Sequence, residues 1–204
     1  MKLASLLIGL ALIMLVGLWY FAGRKTFYIN PSRGEAVIAF GDSLMVGVGS
    51  TPRNDLVSLL SQRLNVPIIN AGRSGDTTQD ALARLTSDVS SNNPRVVLVL
   101  LGGNDVLRHI PKEVTFANLG TIIDRIHAQG AAVILIGVRG KLLLDDYQKE
   151  FKKLARTKQV RYIPDVLKGI FGNPSLMSDE IHPNDKGYMQ IAERVEPVLR
   201  DVLD

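Results

Sequence analysis

The chain of 204 residues has no cysteine at all. No disulfide can therefore form and no lipoprotein-type processing site exists, while the redox compartment stays open. Histidine is almost as scarce, with only His109, His127 and His182, and none sits at metal-ligand spacing. No metal is expected. Gly47-x-Gly49 lacks the third glycine and the acidic partner of a dinucleotide site, so no nicotinamide or other cofactor is expected either. A large excess of charge is also missing once the amino terminus is set aside. The net charge is +4, but Lys2, Arg24 and Lys25 lie in the first 25 positions, which hold no acid. The remaining 21 basic residues face 20 acidic ones, and a nucleic-acid partner is not expected. The one dense basic group, Lys149, Lys152, Lys153, Arg156 and Lys158, reads as the solvated face of a helix whose apolar face is Tyr147, Phe151 and Leu154. There is no internal repeat, no low-complexity tract and no second core, which bounds the body to one domain.

What the sequence does have is one long apolar run. Residues 3–22 carry no charge and end in Trp19-Tyr20-Phe21, followed by Arg24-Lys25. Some 20 apolar residues span a ~30 Å hydrocarbon core, and aromatic residues with a basic flank suit its interface. We read residues 1–25 as an uncleaved signal anchor, 26–34 as a linker and 35–204 as the folded domain. A cleaved signal peptide is the alternative, although its apolar core is shorter, ~7–15 residues, and its cleavage site has small residues. The basic residues on the two sides nearly balance and do not fix the orientation.

Within the body, short two-sided apolar runs alternate with amphipathic stretches. Strands are expected at 36–40, 67–70, 96–101, 132–136 and about 161–163. Helices are expected from Asn54 as cap to 64, from about Thr78, over 114–128, over 147–154, and from Asp185 to the end, where Pro197 should kink or divide the last one. Continuous apolar strands separated by helices describe a parallel sheet covered on both faces. The fold class is α/β: three layers, α/β/α, around a parallel five-stranded sheet.

Three strand ends stand out. The first run, Val37-Ile38-Ala39-Phe40, stops at Gly41-Asp42-Ser43-Leu44; the second leads to Gly72-Arg73-Ser74-Gly75-Asp76; the third leads to Gly102-Gly103-Asn104-Asp105. In a parallel sheet all three open at one edge, where ligands bind. Near the carboxyl terminus, Asp179-Glu180-Ile181-His182-Pro183 places a carboxylate three residues before an imidazole, in a turn-rich segment. Each block also has a plain structural reading. Ser43 could simply cap a helix, and Gly75 or Asn104 alone could be a turn residue.

Taken together and in this order, the four blocks resemble those of the SGNH, or GDSL, hydrolase family across residues 36–204. Within it, Ser74-Gly75-Asp76-Thr77-Thr78-Gln79 and Leu101-Gly102-Gly103-Asn104-Asp105 are similar to the bacterial multifunctional thioesterase, arylesterase and lysophospholipase branch. The chemistry needs these residue types. A serine hydroxyl attacks well only if a base takes its proton. Of the three histidines, His109 follows Arg108 in a loop and His127 sits near a helix end, whereas His182 has Asp179 three residues before it in a turn-rich segment, so Ser43, His182 and Asp179 form the candidate triad. The order Ser, Asp, His is shared with α/β-hydrolases, yet no Gly-x-Ser-x-Gly elbow is present. The resemblance implies an oxyanion hole of the Ser43 backbone N–H, the Gly75 backbone N–H and the Asn104 side-chain amide. Asp42 and Asp105 read as structural braces of the loops.

The expected function is a serine esterase acting on a small-molecule or lipid acyl ester or thioester. Met45, Leu107, Ile110, Leu143 and Leu144 are candidates for an acyl groove, although 142–144 could equally begin the next helix. Two other classes remain: a carbohydrate O-acetylesterase, and a non-catalytic membrane-tethered module. The branch resemblance implies a body outside the bacterial inner membrane. No protein partner can be named from the sequence.

Overall fold

A computed structural model describes residues 34–138 and 145–204. The expected anchor over residues 3–22 and the segment with Leu143 and Leu144 lie outside the described residues. Among the described residues no helix is long and apolar enough to cross a membrane.

Five strands form one parallel sheet: β1 (Ala36–Gly41), β2 (Ile68–Gly72), β3 (Pro94–Leu100), β4 (Ala132–Ile136) and β5 (Arg161–Ile163). Their spatial order is β2-β1-β3-β4-β5. The helices are α1 (Ser43–Val46), α2 (Leu56–Leu64), α3 (Thr78–Asp88), α4 (Gly103–Leu107), α5 (Lys112–His127), α6 (Asp145–Lys158) and α7 (Asp185–Leu203). Strand residues alternate between two cores, as the period of two requires. Val37, Ala39, Leu98 and Ile134 face α2 and α7, whereas Ile38, Phe40, Val97, Val99 and Leu135 face α3, α5 and α6. The three-layer expectation holds, and the long apolar runs are strands buried on both sides.

The strand order reverses between β1 and β3, which opens a crevice at their carboxyl ends. Register brings the three blocks to one line there. Gly41 pairs with Gly72 on β2 and with Leu100 on β3, so Ser43, Gly75 and Asn104 each follow within four residues of one row. Gly41 has no room for a side chain, since a Cβ would sit 2.4 Å from the Leu100 carbonyl oxygen.

Two local expectations are corrected. Asp55, not Asn54, caps α2, accepting from the Ser58 N–H at 2.9 Å. Asn54 instead donates to Thr51 Oγ1 and to Asp185. Pro197 does not divide α7, which runs unbroken to Leu203. The proline lies on the exposed face, where water can satisfy the carbonyl that loses its partner.

Candidate active site

The buried strand β1 turns sharply at Asp42 into the single helical turn α1. Asp42 caps that turn by accepting from the Leu44 N–H at 3.0 Å, and Gly47 ends it at φ +93°, a left-handed conformation suited to glycine. Ser43 is thereby held at the first position of α1, at the carboxyl edge of the sheet. Met45, on the same turn, is 0% exposed and packs into the core. It cannot line a groove, which corrects the expectation for that residue: the turn that presents Ser43 outward points Met45 inward.

The segment between β5 and α7 brings the imidazole across. Its closed form rests on bonds from the Ser178 N–H to the His182 carbonyl at 2.8 Å and from Asn184 Nδ2 to the Ser175 and Met177 carbonyls. Asn184 also caps α7 through the Gly187 N–H, and Asp185 accepts the Thr51 N–H and hydroxyl, both at 2.7 Å. The Tyr188 hydroxyl donates to the Val48 carbonyl at 2.8 Å, fastening α7 to the loop after Ser43.

These fastenings produce a continuous chain of bonds. His182 Nε2 lies 3.0 Å from Ser43 Oγ, and His182 Nδ1 lies 2.8 Å from Asp179 Oδ2. Asp179 Oδ1 accepts the backbone N–H groups of Ile181 and His182, both at 2.7 Å. The His182 ring bond first, and those backbone donors after it, lower the Asp179 carboxyl to about 2. Being ionised, it accepts from Nδ1–H, so Nε2 is left free to accept a proton from Ser43.

The other two blocks meet beside Ser43. Gly75 takes φ +84°, and its carbonyl accepts from Arg108 Nη2 at 2.7 Å. Asn104, on α4, donates through Nδ2 to the Asp76 carbonyl at 2.9 Å, which ties the second block to the third. Asp105 is fully buried and braces the same junction, accepting the Thr78 N–H and the Thr78 and Thr115 hydroxyls. Asp42 is 3% exposed, and burial pushes its carboxyl up to about 7, with Asp76 and Asp105 pushing the same way. Both are built into the loops, as structural braces would be.

A cleft of about 570 Å3, counting its part open to solvent, lies against Ser43 and Asn104. Its walls are mainly apolar, from Leu44, Val106, Leu107, Val138, Leu167, Phe171 and Ile181. Leu107, a candidate from the sequence, lies on this wall. Ile110 is half-buried and does not line the cleft. Val138, the pair Leu167 and Phe171, and Ile181 come from three separate segments outside the regular elements, so the sequence offered no periodic signal that joins them. Arg84, 7% exposed at the same edge, was also missed; its signal is its place on the buried stripe of α3 with Thr78, Ala81 and Leu85. Among the described residues no cluster of histidine and acidic groups could hold a metal ion.

A doubly wound parallel sheet with serine, histidine and aspartate joined at its carboxyl edge has the architecture of a hydrolase. Residues 39–190 match the GDSL-like lipase/acylhydrolase family, and the chain belongs to that family. It is 35% identical over 176 residues to an arylesterase of Vibrio mimicus, covering 81% of this chain and 88% of that one. It is 30% identical over 183 residues to thioesterase 1/protease 1/lysophospholipase L1 of Escherichia coli K12, covering 86% and 88%. The crystal structure of TesA superposes with a TM-score of 0.77 at 28% identity, covering 82% of this chain and 99% of that one.

Proposed function

We propose that the protein is a serine esterase that hydrolyses acyl esters and thioesters through Ser43, His182 and Asp179. The unbroken run from Asp179 through His182 to Ser43, opening into an apolar cleft, carries this reading. Ser43 Oγ attacks the acyl carbon while His182 Nε2 takes its proton. The developing oxyanion receives the Ser43 and Gly75 backbone N–H groups and the Asn104 amide. The carbon–oxygen or carbon–sulfur bond breaks as His182 returns the proton to the leaving alcohol or thiol. Water then attacks the acyl-serine by the same route, releasing the acid. Asp179 keeps Nδ1 protonated throughout and stabilises the imidazolium.

The apolar walls favour acyl chains longer than acetyl, because each methylene removed from water adds about 0.8 kcal/mol of binding. Hydrolysis of p-nitrophenyl esters from acetyl to palmitoyl by the full chain, beside Ser43→Ala, tests this. Activity that needs Ser43 and peaks at medium or long chains supports it. Serine-dependent activity confined to acetyl indicates a carbohydrate deacetylase instead, and no serine-dependent activity overturns the triad.

For residues 1–25 we propose a membrane anchor with the domain outside the inner membrane, from the uncharged run over 3–22. A lipid-acting esterase tethered this way is concentrated at its substrate's surface. Digestion of the domain by protease added to spheroplasts supports that placement, and protection refutes it.

A further inference from the structure

Arg84 has more partners at the active edge than any helix packing needs. Its guanidinium is buried at 7% exposure and lies 4.4 Å from the Phe40 ring centroid. Nη2 donates to the Gly41 carbonyl at 2.9 Å, two residues before Ser43. Nη1 donates to the Ala71 carbonyl at 2.9 Å, at the end of β2 that leads to Gly75, and also to Asp88 at 2.8 Å. Nε donates to Asp76 Oδ2 at 2.5 Å, and the Asp76 backbone carbonyl is the acceptor for Asn104 Nδ2. One rigid, planar cation therefore touches the segments that carry Ser43 and Gly75, and reaches Asn104 through Asp76.

We infer that Arg84, acting with Asp76, is a positioning residue that sets the mutual spacing of the three oxyanion donors. This deepens the esterase reading and rests on it. The fork geometry matters, because its N–H vectors are fixed relative to one another and so are the loops they hold. Lysine, a point charge on a flexible stem, cannot hold the same set of acceptors at once. Charge matters as well. Asp76 follows Gly75 directly, and its carboxylate would repel a developing oxyanion if Arg84 did not neutralise it. Ala81 and Leu85 also seat this helix in the core beneath it.

The test is steady-state hydrolysis of a p-nitrophenyl ester by the full chain and its Arg84→Met, Arg84→Lys, Arg84→Met/Asp76→Asn and Ser43→Ala variants, with melting curves to confirm folding at the assay temperature. Misplaced catalytic groups cost up to ~10²-fold. Arg84→Met is expected to lower kcat by ~10–10²-fold with KM within about threefold, since the donors act on the transition state and not on ground-state binding. Arg84→Lys should restore only part of this, and the double variant should exceed Arg84→Met because the stranded carboxylate is gone. Arg84→Lys that is folded and has the parent kcat overturns the inference, and this outcome stands even if Arg84→Met does not fold. A double variant no faster than a folded Arg84→Met refutes the part assigned to Asp76. If Ser43→Ala keeps the parent rate, the serine reading fails and this inference falls with it, a result distinct from failure of the arginine variants alone.

Discussion

Replacing Asp179 by Asn separates the orientation of His182 from the shape of the loop that carries it. Asp179 accepts three bonds: two from the backbone N–H groups of Ile181 and His182 on Oδ1, and one from the His182 ring on Oδ2. Asparagine can keep its carbonyl oxygen on the two backbone donors. Its NH2 group then faces Nδ1, which must become an acceptor, and the ring proton moves to Nε2. In that tautomer Nε2 cannot take the Ser43 proton. The same tautomer change in serine proteases costs ~10⁴-fold in kcat. Asp179 is 52% exposed, so water competes for the site, and a loss of ~10²–10⁴-fold is expected here. The structural cost should be small. The lowering from 3.8 to about 2 corresponds at face value to ~2.5 kcal/mol, and solvent screening at this exposure reduces it to about 1 kcal/mol. Because the folded value is the lower one, that contribution is present above pH 3.8 and is lost as the pH falls towards 2. At neutral pH the melting temperature should fall by about 2–4 °C. Ester hydrolysis at pH 7, read beside a thermal melt, is the assay. A folded Asp179→Asn protein within threefold of the parent rate would refute the assigned role.

Other outcomes follow from the same geometry. The Asp42 carboxyl, raised by burial to about 7, holds a proton in the folded chain that the unfolded chain releases near 3.8, so stability should decline between those pH values, by at most about 4 kcal/mol. Asp42→Asn, which keeps an acceptor for the Leu44 N–H, should remove that slope in urea titrations at pH 4, 5.5 and 7; an unchanged slope places its origin elsewhere. Phe171→Ala removes apolar wall from the cleft and should raise KM for octanoyl esters several-fold more than for acetyl esters. An equal effect on both would mean that the acyl chain lies elsewhere. Gly41→Ala would drive a Cβ against the Leu100 carbonyl at 2.4 Å and Met45 Cβ at 2.9 Å. It should cost ~1–3 kcal/mol in denaturant midpoints and lower kcat by disturbing the entry to Ser43.

Much of this protein could be read from its residues alone, for reasons that differ by element. The strands were legible because burial on both faces demands uninterrupted apolar runs, and Val96 to Leu101 or Ala132 to Ile136 admit little else. Ser43, Asp179 and His182 could be singled out because the chemistry restricts residue type and the chain has three histidines; Asp124 stands at the same offset from His127, so the choice rested on the turn-rich setting and the motif around His182. Asp55 and Asn54 are adjacent and both good caps, so sequence could not choose between them; the structure gives the cap to Asp55 and Asn54 to Asp185.

The differences have two physical origins, the direction of side chains on a local turn and contacts between segments remote in sequence. Met45, a groove candidate by sequence, shares the α1 turn with Ser43, but a single helical turn sends those two side chains in different directions. Arg84 passed unnoticed because its partners, Gly41, Ala71 and Asp76, are remote in sequence and two of them are backbone carbonyls. The cleft wall draws Val138, Leu167 with Phe171, and Ile181 from three different segments. Local propensity and residue chemistry, which the sequence carries position by position, determined the layered α/β fold and pointed to the three candidate side chains Ser43, Asp179 and His182. Distances between remote segments exist only once the sheet has formed, so tertiary structure alone decided the shape of the cleft, the bracing by Arg84 and the 3.0 Å between Ser43 and His182.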